Sequence, residues 1–219
     1  MVSALALLAG CASTDSAGTG PSSSASTTAR AVALEADVCR EVPAEGRIDR
    51  AGHGLEFRSG SLQVAVERPG PGDANRSACY GFTKSGNADP SVPPDSLLFV
   101  FTGPGVDGAQ IEFSVGDLTG GVLPPIGGVR PRVGPLDGPI TSAVGVSVDG
   151  TYLHSTTCPL TFTAVSSDRV AGTFTCAAVM RSASNPFAPG EDADDDSSSA
   201  DVTVTESDVT LSGWFETTP

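Results

Sequence analysis

Apolar and polar positions alternate in short runs over most of the chain. In 61–67 (SLQVAVE) Leu62, Val64 and Val66 share one face, the period-2 signature of a strand buried on one side. The run 97–101 (LLFVF) is apolar at every position, which predicts a central strand covered on both faces. In 109–115 (AQIEFSV) the alternation returns through Ile111, Phe113 and Val115. Runs 143–148 and 151–154 flank Asp149-Gly150, a pair that favours the type I′ turn of a tight hairpin. The stretch CPLTFTAVSSDRVAGTFTC (158–176) reads as a second hairpin turning at Ser-Ser-Asp-Arg. Two more strands are expected at 201–205 and 208–215, the latter with Val209, Leu211, Gly213 and Phe215 on one side. No 3.6-residue period lasts three turns, so a short helix around 31–38 is the only helical expectation.

The glycines punctuate this pattern. Gly172 and Gly213 recur in similar settings, VAGTF and LSGWF, where close approach of a neighbouring backbone or a bulge accounts for them. The segment 119–140 holds six Gly and five Pro, too many for a central strand or a helix, and predicts a long surface loop. The chain therefore reads as all-β: an antiparallel β-sandwich or partly closed barrel with long Gly/Pro loops, formed by one domain over 31–219.

The first ten residues do not belong to that domain. Val2 to Ala9 is too short to span a bilayer and fits the apolar core of an export signal. Leu8-Ala9-Gly10-Cys11 resembles the lipobox of bacterial lipoproteins. The resemblance implies that residues 1–10 are removed and that Cys11 becomes a diacylglyceryl-modified N-terminus. Export signals normally carry a basic residue before the apolar run and none stands here, so a basic segment upstream is expected. Residues 11–30 then comprise the lipidated cysteine and a Ser/Thr/Gly tether with no large apolar side chain, a composition that cannot bury enough surface to fold. Two acyl chains hold a protein to a membrane stably where one is marginal. The implied location is the extracytoplasmic face of a bacterial cell membrane.

Charge narrows the partners. Twelve Lys and Arg against 26 Asp and Glu give a net charge of −14, which phosphate backbones would repel; nucleic acid is not an expected partner. Residues 182–219 carry nine carboxylates and no basic side chain, a composition suited to a cationic or envelope partner or to solubility alone. Within it, Asp192, Asp194 and Asp196 make a weak calcium loop, because the EF-hand pattern fails at its sixth and twelfth positions. No other metal site and no cofactor is expected beyond the covalent lipid.

In an exported protein the remaining cysteines are read as disulfides. Folding the second hairpin about Ser167 sets Cys158 opposite Cys176, within bridging reach. By elimination, Cys39 pairs with Cys79. Catalytic signatures are missing: GVSVDG (145–150) departs from the nucleophile elbow at Asp149, and neither His53 nor His154 lies near a nucleophile motif. Gly103, Gly105 and Gly108 have dinucleotide-loop spacing, but Pro104 removes a needed N–H and a strand-like run follows, which makes a hairpin turn the better reading. Asn75-Arg76-Ser77 matches the N-glycosylation triplet, idle in a bacterium.

The lipobox, the Ser/Thr-rich tether and the β-rich remainder together resemble lipoproteins of actinobacteria. RVAGTFTC, SNPFAP and the alternating strand after them are similar to the C-terminal part of the mycobacterial 19 kDa lipoprotein antigen family. That likeness covers about a fifth of the chain and implies a surface antigen without assigned enzymatic activity. The reading is a noncatalytic lipoprotein displaying a β domain for binding or envelope interaction. The alternatives are a carrier with an apolar cavity between sheets, lined by 97–101, 111–115 and 209–215, and a cell-wall enzyme whose cleft loop 119–140 would roof.

Overall fold

The computed structural model describes residues 29–51, 54–69, 76–86, 95–122, 133–188, 204–205 and 209–219. Strands β1 (Ser59–Arg68), β2 (Arg76–Ser85), β3 (Ser96–Thr102), β4 (Gly108–Ser114), β5 (Ile140–Val148), β6 (Thr151–Val165) and β7 (Val170–Cys176) each pair antiparallel with the next. After β8 (Met180–Ser182) and β9 (Val204–Thr205), strand β10 (Thr210–Thr218) returns between β7 and β1. Strands β1 to β7 and β10 thus close an up-and-down barrel of eight. β8 runs along the first part of β6, and β9 pairs with β8. The closed barrel settles the choice between sandwich and partly closed barrel, and it leaves none of its eight strands as a sheet edge.

An eight-stranded barrel has an interior just wide enough to be filled by side chains, and here it is filled. Leu62, Val64 and Val66 are buried from β1, as their alternation predicts, and so are Val209, Leu211, Gly213 and Phe215. Phe99 sits at the centre. Its ring centroid lies 6.0 Å from Phe57, 5.9 Å from Phe113 and 6.0 Å from Phe215, and Phe113 meets Phe162 at 5.1 Å. Strand β3 corrects one expectation. It is covered on one face only, and Leu98 is 50% exposed, because the outer wall of a barrel faces water and has no second layer to meet it.

Local signals explain the turns. Asp149 and Gly150 both take positive φ, 54° and 73°, as a type I′ turn requires. Residues 103–107 make the β3–β4 turn, closed by Gly103 N–H donating to the Asp107 carbonyl; no helix begins there. The β6–β7 turn is Ser166–Arg169, preceded by a register shift between Phe162 and Ala164 that bends the long strand β6.

Three elements do not follow from the alternation pattern, β8 among them. β2 was not expected, and the 119–140 loop is preceded by a helical turn, α1 (Val115–Thr119), which takes Val115 out of the strand. The Ser114 hydroxyl caps α1, and Gly120 ends it at φ 66°. The N-terminal helix is a 3₁₀ turn, Ala36–Arg40.

Both disulfides form as expected. Cys158–Cys176 lies inside the barrel with both residues fully buried. Cys39–Cys79 lies outside it, clasping the 3₁₀ turn against Ala65 of β1 and Cys79 of β2.

Candidate functional site

The N-terminal segment before β1 is a belt around the barrel. It begins beside the hairpin tips, where Ala31 N–H donates to Asp107 (2.7 Å) and Arg30 faces Asp149. Leu34 then pairs with Cys79, and the Trp214 indole N–H donates to the Val38 carbonyl (2.8 Å). Trp214 is therefore an outer-wall residue that holds the belt. Further on, Gly46 and Asp49 N–H groups donate to the carbonyls of Thr163 and Val165 near the end of β6. Leu55 and Phe57 turn inward and close that end of the barrel.

Between this belt and the start of β5 lies a groove of about 760 Å³, half open to solvent. Its walls are Arg47 to Arg50 on one side and Val133 to Pro139 on the other; Thr161 and Phe162 of β6 lie between them. The Arg50 guanidinium holds the walls together by donating to the carbonyls of Leu118, Gly134 and Pro135 at 2.6, 3.0 and 2.6 Å. Arg47 pairs with Asp49, and Ile48 is 38% exposed. The groove exists because β6 runs on beyond the first residue of β5, leaving Thr161 and Phe162 without a strand on that side. The described part of the Pro/Gly-rich loop forms one wall. Arg50 carries no sequence signature, and only its long-range carbonyl partners identify it.

The groove's described lining is mostly apolar, with Arg47, Asp49 and Arg50 as its charged groups. Among the described residues its lining includes no His, Cys, Ser or Tyr, and both guanidiniums are already engaged.

A second polar cluster lies on the outer wall near the Asp149-Gly150 hairpin tip. The Tyr152 ring stacks on His154 at 5.5 Å and covers Gly145, whose Cβ position would be only 2.1 Å from the phenol oxygen. Gln110 donates to that oxygen (2.9 Å). Residues 184–188 cap the cluster. Asn185 donates to Ser147 (2.8 Å), and Phe187 packs beside Tyr152 and over Gly108. His154 Nδ1 is buried and makes no hydrogen bond to the described residues. The arrangement packs a segment onto two glycine gaps.

Burial pushes the Tyr152 phenol up to about 12, against a smaller lowering from the Gln110 hydrogen bond. Burial, then the Asp149 charge, raises Tyr80 as well. Raised phenols ionise in the unfolded chain before they ionise in the folded one. Stability should therefore hold below pH of about 10 and fall as pH rises from about 10 towards about 12. An alkaline ultraviolet titration checks this: both tyrosines should ionise late, and a native phenol titrating near its ordinary value would contradict the burial.

The other sequence candidates, Cys11, His53, Asn75 and Asp192, Asp194 and Asp196, lie outside the described residues. Among the described residues no group of three or more His, Cys, Asp or Glu side chains is placed to hold a metal, and no helix is long and apolar enough to cross a membrane. Comparison with protein-family models, curated proteins and solved structures finds no match.

Proposed function

We propose that this chain is a bacterial envelope lipoprotein, anchored by acylation of Cys11, that displays a noncatalytic barrel for binding at the extracytoplasmic face of the membrane. The observation that carries the display reading is the packed interior. The residues that would line a carrier's cavity, Leu97, Phe99, Ile111, Phe113, Leu211 and Phe215, are instead buried against one another. What the barrel offers a partner is then its outside.

The ends of the barrel favour a particular face. Arg30, where the proposed tether ends, lies at the hairpin tips beside Asp107 and Asp149, whereas the groove lies where β5 begins. The nine residues of β5 separate them, about 30 Å at strand rise. A barrel held from its tip end presents the groove away from the bilayer.

Mass spectrometry of the mature protein tests the anchor. The expected species begins at Cys11 with a diacylglyceryl thioether and sediments with membranes, while Cys11→Ala leaves the protein unacylated. A mature chain that retains Met1 with a bare sulfur at position 11 would overturn the reading.

A further inference from the structure

The barrel wall has one short seam. β3 pairs with β2 only at Thr83↔Thr102, Lys84↔Phe101 and Ser85↔Val100, so β2 from Arg76 to Phe82 overhangs the β3–β4 turn. Residues 31–34 lie along that overhang. Leu34 N–H donates to the Cys79 carbonyl (2.7 Å), Ala31 packs against the main core, and its N–H is taken by the buried Asp107 carboxylate. The Arg30–Asp149 pair is largely exposed and adds little. Five residues after Leu34 the chain is bonded to β2 itself through Cys39–Cys79.

The geometry points to a mechanical clasp: residues 30–40, with the Cys39–Cys79 bond, transfer a pull on the N-terminus into the barrel wall before it reaches the rest of the belt. This rests on the tether proposed above, which supplies the pull. The reason is connectivity. A force entering at residue 30 first meets the few hydrogen bonds of 31–38. It then meets the covalent bond to Cys79, a residue of a strand paired to β1 at eight positions. Without the bond, the force would run on through residues 41–58. The belt's hydrogen bonds near β6 would have to hold it, and then Leu55 and Phe57, whose burial closes the barrel end. The outer disulfide therefore keeps membrane tension away from the core plug, a task the inner Cys158–Cys176 bond cannot share.

Force spectroscopy on the full chain tests this, with one handle on the N-terminus before residue 29 and the other on the exposed β6–β7 turn at position 168. With the bond intact, only residues 30–38 can be drawn out before the barrel itself yields, a first extension of no more than about 30 Å. In Cys39→Ser/Cys79→Ser, residues 30–58 should come out first, up to about 100 Å. Equal first extensions in the two proteins would overturn the clasp. Should the double variant fail to fold, the oxidised native chain decides alone, since a first extension well beyond about 30 Å is incompatible with the clasp. The intact mass of the same preparation reports acylation separately. A bare Cys11 overturns the anchor; a long first extension with Cys11 acylated overturns only the clasp.

Discussion

Phe99→Ala is expected to lower unfolding stability by about 3–5 kcal/mol, the range for truncating a large aromatic in a packed interior. For a domain of this size that corresponds to a fall in Tm of roughly 10 °C. Phe99 is 4% exposed and touches Phe57 from the belt, Phe113 from β4 and Phe215 from β10. Its removal therefore leaves a void bordered by three elements that cannot all collapse into it. The neighbour Leu98 supplies the control. It lies on the same strand but points outward at 50% exposure, so Leu98→Ala should change stability by about 0.5 kcal/mol or less. Thermal unfolding with both disulfides oxidised in each protein keeps the comparison clean. The result also bears on function. If Phe99→Ala cost no more than Leu98→Ala, the interior would not be packed, and the carrier alternative would regain its footing.

That contrast also shows what the sequence could and could not reveal. Alternation exposes a strand wherever one face is wet and the other dry, which is why 61–67, 109–114 and 209–215 were legible. LLFVF breaks the rule in the other direction: its apolar Leu98 suggested a second covered face that a barrel wall does not have. β2 (RSACYGFTKS) escaped because its outward positions Cys79 and Gly81 are small. The belt residues Cys39 and Leu34 cover them, which blurs the alternation. Helix α1 occupies a single turn, and the signals that set it, Ser114 before and Gly120 after, are too common to be decisive. The disulfides were legible through the hairpin: Leu160↔Phe174 and Phe162↔Gly172 are the pairs found, and the same register sets Cys158 against Cys176. The groove was not, because it depends on where β5 starts relative to β6 and on Arg50 reaching Gly134, 84 residues away. Only the Gly/Pro content of 119–140 pointed towards it.

Gly213→Ala should be at least as damaging for its size, by about 3 kcal/mol or more, above the usual cost of adding a methyl group to a packed site. The conformation of Gly213 is ordinary for a strand, since it is not among the residues with positive φ; what matters is space. A Cβ there would lie 2.0 Å from the Gln63 carbonyl oxygen and 3.0 Å from the Val64 Cα. Both are backbone atoms of β1 and cannot rotate aside as a side chain could. Gly213 faces Val64 in the pairing of β10 with β1, and that pairing joins the last strand to the first. Relief of the clash therefore requires the barrel's closing seam to part locally, and the Trp214 indole, whose N–H is held by Val38 on the next residue's outer face, should move with it. Trp214 is the only tryptophan in the chain, so its fluorescence reports the displacement directly. Gly138→Ala is the matched control: no heavy atom of the described residues lies within 4 Å of its Cβ position and its φ is not positive, so stability should stay within about 0.5 kcal/mol. An alanine at 213 that leaves both the melting temperature and the Trp214 emission unchanged would mean that β1 and β10 are not in the close register that shuts the barrel.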